Sequence, residues 1–266
     1  MQHVLGPIYK NFIIFKYKNM NTLLVIPARM GSSRFPGKPM ALIAGKPMIG
    51  HVYERVCKSN LVTTTAVATC DKIIFDYIES IGGIAVMTSN THERASDRCA
   101  EALIKLEQFN KIKYDIVVMV QGDEPMIQQD MIKEAVSPMI LDNSIQVVNL
   151  MAPITEIEEF EDRNCIKVVC DLQNNALFFS REPIPTRSKT QNIPMYKQVC
   201  VIPFKRDFLI EYNKLIPTPL EVAESVDMMR ILENGINVKM VLTYFNTHAV
   251  DIPADLDKVE ILMQKG

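Results

Sequence analysis

Asp115-Ile116-Val117-Val118-Met119-Val120-Gln121-Gly122-Asp123-Glu124-Pro125 is the stretch on which the fold turns: an unbroken apolar run empties into a glycine turn that carries two carboxylates. A short run with no polar alternation is the pattern of a strand buried on both faces, as in a parallel sheet. Such a strand fixes the turn behind it, so Asp123 is presented rigidly at the strand's carboxyl end. Upstream, the apolar run Thr22–Pro27 leads into Arg29-Met30-Gly31-Ser32-Ser33-Arg34-Phe35-Pro36-Gly37-Lys38-Pro39. Small residues there let backbone amides approach phosphate oxygens, while Arg29 and Lys38, with Arg34 nearby, supply positive charge. In open α/β sheets ligands sit beyond the carboxyl ends of the strands. The joint reading is a triphosphate cradle facing a metal-binding aspartate, which is the chemistry of nucleotidyl transfer.

The pattern around these two segments predicts an α/β fold with a mostly parallel sheet and helices on both faces. Met48–Lys58 has helical spacing, Thr64–Cys70 is strand-like, and Asp71 can cap a helix running to about Ser80, ended by Gly82-Gly83. Ile84–Thr88 reads as a strand, and Asn90 or Thr91 can cap a helix over Glu93–Phe109. From Ile145 the chain becomes strand-rich, with Val147–Met151, Ile166–Cys170, Ala176–Ser180 and Gln198–Phe204 as candidates and Asn174-Asn175 as a hairpin turn. Residues 145 to 205 are therefore expected to form an excursion from the main sheet, of the kind that α/β enzymes use for dimer contacts. Pro219 should open one helix through about Asn234, stopped by Gly235; Val238–Thr243 is a strand, and Pro253 opens a last helix ending near Met263.

The chain has 266 residues and a formal charge of −2, a balance that gives no electrostatic footing for nucleic acid or a membrane surface. No run approaches the roughly 18 apolar residues of a membrane span. Six cysteines without a Cys-x-x-Cys pair read as reduced thiols of a cytoplasmic protein, and the four histidines lack metal-ligand spacing. Residues 1 to 20 stand apart: Phe12-Ile13-Ile14-Phe15 is too short for a signal-peptide core, and Met20 lies just before the first strand. A non-native or over-extended start, or a dispensable tail, is expected there, with one domain over residues 21 to 266. The loop after the first strand is no ATPase P-loop, because its spacing is one residue too long and Pro39 replaces the magnesium-binding Ser or Thr. A dehydrogenase fails earlier, since no Gly-x-Gly-x-x-Gly follows that strand. Asp251, in Ala249-Val250-Asp251-Ile252-Pro253, is either the cap of the last helix or a second carboxylate opposite Asp123. Glu221, Glu224 and Asp227 are at helical spacing and fit a solvated face as well as an acceptor site.

Taken in order, the blocks 26–39, Gly45-Lys46-Pro47-Met48-Ile49, 120–127, Lys167-Val168-Val169, Phe179-Ser180-Arg181, Pro219-Leu220-Glu221 and Val250-Asp251-Ile252-Pro253 resemble the CMP-Kdo synthetases. These are cytidylyltransferases that activate 3-deoxy-manno-octulosonate (Kdo). The resemblance covers about Asn21 to Met263. It implies a Rossmann-like nucleotidyltransferase fold, a homodimer, Mg²⁺ as cofactor, and CTP with a sugar acid as substrates. It would place Pro27, Ala28, Arg29, Ser32, Lys38, Arg98 and Gln121 at the nucleotide, with Arg29, Lys38 and Asp123 catalytic. Asp123 and Asp251 would hold the metal, and Gln198, Glu221, Glu224 and Asp227 would meet the acceptor. Departures fall on the sugar side. Gln198-Val199-Cys200-Val201-Ile202-Pro203-Phe204 stands where the family has His-Leu-Gly-Ile-Tyr-Gly-Tyr, and Val226-Asp227-Met228-Met229-Arg230 where it has Leu-Glu-Gln-Leu-Arg. The expected reaction is transfer of CMP to Kdo with release of pyrophosphate. The alternatives are an amino-Kdo, nonulosonate or phosphonate acceptor, or a nucleotide-binding homologue without turnover.

Overall fold

Strand β1 (Thr22–Ala28) sends Leu23 and Val25 into one hydrophobic core and Leu24 and Ile26 into another. That two-sided burial is why the sequence shows no polar alternation, and each such side chain contributes about 1.5–3 kcal/mol relative to exposure. The computed structural model describes residues 20–32, 34–190, 192–245 and 248–265; the reading of the amino-terminal tail falls on residues 1–19, outside those described. After β1 come a 3-10 turn (Lys38–Met40) and a minimal hairpin, β2 (Leu42–Ile43) and β3 (Lys46–Pro47). Next are α1 (Met48–Val56), β4 (Thr64–Thr69), α2 (Lys72–Ser80), β5 (Ala85–Met87), α3 (Ala95–Asn110), β6 (Ile116–Val120) and α4 (Gln129–Leu141). The remainder is β7 (Val148–Pro153), α5 (Ile157–Glu161), β8 (Lys167–Cys170), β9 (Ala176–Ser180), β10 (Tyr196–Val199), β11 (Val201–Lys205) and α6 (Arg206–Tyr212). It ends with α7 (Pro219–Glu224), α8 (Asp227–Glu233), β12 (Lys239–Leu242) and α9 (Ala254–Lys265).

The first sheet has the order β11-β6-β1-β4-β5, with β6, β1, β4 and β5 parallel and β11 antiparallel at the edge. The second has the order β12-β7-β10-β8-β9. In it β10 runs antiparallel to both β7 and β8, β12 runs parallel to β7, and β8–β9 is a hairpin turned through Asn174 at φ 58°. An isolated antiparallel bridge between Val147 and Phe204 joins the two sheets.

Two expected elements are each divided in the structure. The single strand Gln198–Phe204 is two strands in different sheets, parted at Cys200. There the Gln121 amide donates to the Cys200 carbonyl at 3.2 Å, and the Cys200 amide donates to the Glu124 carboxylate. The turn after β6 therefore takes the backbone pair that a continuous ladder would use. The single helix from Pro219 to Asn234 breaks at Ser225, which is left-handed at φ 52°. Arg181 accounts for the break, because its Nε donates to the Glu224 carbonyl at 2.7 Å and its Nη2 to the Ser225 carbonyl at 3.3 Å. Helix α4 lies outside the expected elements. It buries Met131, Ile132, Ala135, Val136, Met139 and Ile140 on one face, and Pro138 in its last turns disguises it.

Candidate active site

Gly122 sets the geometry of the cleft. A Cβ there would stand 3.1 Å from Ile49 Cδ1 and 3.4 Å from the Pro27 carbonyl oxygen, so glycine lets the end of β6 lie against the end of β1 without displacing the Ile49 side chain. The loop after β1 is folded back on itself, with the amides of Ser32 and Gly37 both donating to the Met30 carbonyl at 3.0 Å. Asp71, at the expected cap position of α2, turns its carboxylate to this loop instead and accepts from the Met30 amide at 2.8 Å. Gly37, at φ 78°, opens the 3-10 turn that aims Lys38 inward.

The Lys38 ammonium lies 2.7 Å from Asp123 Oδ2 and 3.8 Å from Asp251 Oδ1, and it donates to the Val250 carbonyl at 2.8 Å. The Val250 amide in turn donates to the Asp123 carbonyl at 3.0 Å, which docks the segment before α9 onto the turn after β6. Two carboxylates, one from mid-chain and one from near its carboxyl end, thus converge on one cationic point, at 20% and 21% side-chain exposure. Burial, and then the neighbouring Asp123 charge, raise the Asp251 carboxyl above the ordinary range. Glu124 is fully buried beside them. Burial and the Asp123 charge push it up to about 8, and its Oε2 has no partner.

The cleft has two lobes. One, of about 620 Å³, is lined by Pro27, Ala28, Arg29, Ser32, Lys38, Arg98, Gln121 and Asp123, so every residue expected at the nucleotide is gathered there. Arg98 is nearly buried, donates to the Thr88 hydroxyl, and keeps its Nη2 without a partner. The other lobe, of about 930 Å³, is lined among others by Gln198, Asp227 and Asp251. The remaining two acids expected at the acceptor face do not line it. Glu221 is fully buried in a two-pronged ion pair with Arg230, at 2.6 Å on each oxygen. Glu224 accepts from the Ser180 hydroxyl at 3.1 Å and the Arg181 amide at 2.8 Å, so it shapes the wall from behind. Gln198 lines the lobe but spends its amide nitrogen on Asn149 Oδ1 at 2.6 Å.

Asn164 carries no signal in the sequence, and Arg34 carries only that of a nearby positive charge. Arg34 reaches from the loop after β1 to Asp251 at 2.9 Å and to Asn164 Oδ1. Asn164 is tethered by its amide, which donates to Asp162 Oδ1 at 2.8 Å, and on either side of it Lys167 pins the backbone, its fully buried ammonium donating to the carbonyls of Asp162, Cys165 and Arg181 at 2.8, 2.6 and 2.6 Å. All three of its donors are used, without a carboxylate partner, so it acts as an internal cross-link of the far wall. Lys167→Met is expected to lower stability by on the order of 3 kcal/mol, because it strands the three carbonyls that accept from the ammonium; chemical denaturation checks this. On the opposite wall Glu101 accepts from the Ser89 amide at 2.9 Å and pairs with His92 at 2.5 Å and Lys105 at 2.6 Å. Against the opposing effect of burial, these partners hold it down at about 2. A depressed folded-state pKa gives stability that is present above the unfolded value and lost as pH falls towards the folded one. Wild type should therefore lose more melting temperature than Glu101→Gln between about pH 5 and pH 2; melting curves across that window test it.

The two converging carboxylates also bear on metal binding. Among the described residues no group of three or more His, Cys, Asp or Glu side chains is placed to hold an ion. A pair of carboxylates facing an open cleft suits magnesium, which takes one or two carboxylates and fills its shell with phosphate oxygens and water. Asp123 and Asp251, already sharing a cation in Lys38, fit that demand.

A cytidylyltransferase family model matches residues 23–241. The 3-deoxy-manno-octulosonate cytidylyltransferase of Geobacter metallireducens is 43% identical over 251 residues, 90% of this chain and 96% of that protein. The protein of the same name from Geotalea daltonii is 42% identical over 259 residues, 93% of this chain and all of that one. A solved structure described as CMP:2-keto-3-deoxy-manno-octonic acid synthetase complexed with CTP superposes with a TM-score of 0.83 at 37% identity, covering 92% of this chain and 99% of that one. With the sheet order, the cleft and these relatives in agreement along nearly the whole length, the chain belongs to the cytidylyltransferase family, among its 3-deoxy-manno-octulosonate cytidylyltransferases.

Proposed function

We propose that this chain transfers CMP from CTP to the anomeric hydroxyl of Kdo and releases pyrophosphate. The observation that carries the reading is the convergence of Lys38, Asp123 and Asp251 at the meeting of the two lobes. A lobe rich in Arg29, Lys38 and Arg98 suits a triphosphate, and the unpartnered Arg98 nitrogen is a donor awaiting an oxygen. Asp123 and Asp251 would hold Mg²⁺, which when bound neutralises phosphate charge and lowers the pKa of the attacking hydroxyl. Arg29 and Lys38 would stabilise the leaving pyrophosphate, and Arg34, tied to Asp251 and Asn164, would keep the second carboxylate aimed at the first. No covalent intermediate is required; positioning and charge neutralisation suffice.

CTP is an intracellular substrate, so a cytoplasmic location follows from the same reading. A homodimer is part of it as well: the β8–β9 hairpin exposes Leu172 at 98%, with Leu177 and Tyr244 also largely bare, an apolar set suited to a second copy. Light scattering should give twice the chain mass. The acceptor is tested with Kdo, amino-Kdo, a nonulosonate and a phosphonate side by side, following the new CMP ester by phosphorus NMR. Kdo is expected to give the highest kcat/KM; a different acid preferred by about tenfold or more would replace Kdo in this reading.

A further inference from the structure

Four arginines, Arg29, Arg34, Arg94 and Arg181, line both lobes of the cleft and so stand where nucleotide and acceptor meet. Three of them are engaged. Arg29 donates to the His92 carbonyl, Arg34 to Asn164 and Asp251, and Arg181 to the carbonyls of Glu224, Ser225 and Arg163. Arg94 differs. Its guanidinium has Glu221 Oε1 and Asp227 Oδ1 behind it, each 3.5 Å away, yet it forms no hydrogen bond with any described residue. Those two carboxylates have closer partners, Arg230 for Glu221 at 2.6 Å and the Ser96 hydroxyl for Asp227 at 3.2 Å. Arg94 is thus a cation held in place by charge, at 22% side-chain exposure, with its planar set of N–H donors unspent.

The chemistry of a 2-keto sugar acid says which anion belongs there. The attacking anomeric hydroxyl and the carboxylate of such an acid hang on the same carbon. When the hydroxyl lies against the α-phosphorus at the boundary of the lobes, the carboxylate must lie at that boundary too. The triphosphate has Arg29, Lys38 and Arg98 in its own lobe. We propose that Arg94 is a specificity-determining residue whose guanidinium takes the acceptor's carboxylate with two parallel hydrogen bonds, Glu221 and Asp227 orienting it from behind. A guanidinium fork matches a carboxylate in width, and such charge-assisted pairs are stronger than neutral ones. The inference rests on the transfer reading above.

The test compares wild type, Arg94→Gln and Arg94→Lys, with Kdo and with its methyl ester as acceptors, and records melting temperatures alongside. Arg94→Gln is expected to raise KM for Kdo roughly 10- to 100-fold, with KM for CTP within about twofold, and to erase the preference for acid over ester. Arg94→Lys keeps the charge facing Asp227 but loses the fork, so its KM for Kdo should fall between the two. An unchanged KM for Kdo, an equal rise in KM for CTP, or a retained acid-over-ester preference would each overturn the assignment. A drop in melting temperature with that preference intact would make Arg94 a counter-ion of Asp227 and nothing more. Wild type turning over neither acceptor would instead remove the transfer reading itself, an outcome distinct from an active wild type with an indifferent variant.

Discussion

Asp123→Asn is expected to lower kcat by about a thousandfold or more while leaving the fold in place. The substitution keeps the size and shape of the side chain and removes only its charge. Asp123 is held by its backbone carbonyl, which accepts from the Val250 amide, so the docking of the last helix does not depend on the carboxylate. What does depend on it is the convergence at Lys38, whose 2.7 Å contact to Asp123 is its shorter carboxylate contact, against 3.8 Å to Asp251. On the proposed reading, one carboxylate left would halve the pair that holds the metal and leave charge at the α-phosphorus unbalanced. Removing the Asp123 charge also lets the Asp251 carboxyl fall, since that charge is the second cause, after burial, of its elevation. Steady-state kinetics with far-UV circular dichroism separates the two claims: kcat collapses and the spectrum stays. Near-normal turnover would take Asp123 out of the mechanism.

Arg230→Met is the variant expected to cost most in stability, about 3–5 kcal/mol. Arg230 and Glu221 are both buried and joined through two 2.6 Å contacts, and the Arg230 guanidinium lies 5.1 Å from the centre of the Tyr212 ring. Tyr212 stacks in turn on Phe204 and Phe208. Losing the arginine leaves Glu221 charged and buried, with Arg94 3.5 Å away as the remaining guanidinium near it. Much of the cost is that stranded charge, not the worth of the pair itself. The double substitution Glu221→Leu with Arg230→Met should therefore recover a large part of the loss, and urea denaturation of the two single and the double variants measures it. A double variant as unstable as the sum of the singles would show that the pair is not coupled.

The chain discloses its fold where local chemistry decides and conceals it where distant segments do. Strands β1 and β6 are legible because burial on both faces leaves an unbroken apolar run, and the loop after β1 is legible because its glycines, serines and basic residues are contiguous. The division at Cys200 is not legible, since both halves of Gln198–Phe204 are apolar and extended in character; the break comes from Gln121 and Glu124, some 80 residues away in the chain. Ser225 is similar, its left-handed turn answering to donors on Arg181. Among site residues, Asp123 and Asp251 could be paired only through the family resemblance, because nothing local distinguishes Asp251 from a helix cap. Here its amide donates to Asp255 Oδ2 at 2.8 Å, while the Asp251 carboxylate is turned to Lys38 and Arg34. The family resemblance places Glu221 at the acceptor, its spacing fitting a solvated face as well, and only the position of Arg230 shows that its charge is spent inside the protein.

The central claim, that this cleft joins CMP to Kdo, is tested most directly by pyrophosphate release from CTP and Mg²⁺, with Kdo and without an acceptor. The account predicts release that requires Kdo and stops when the metal is chelated. Bound CTP with no Kdo-dependent release would contradict it.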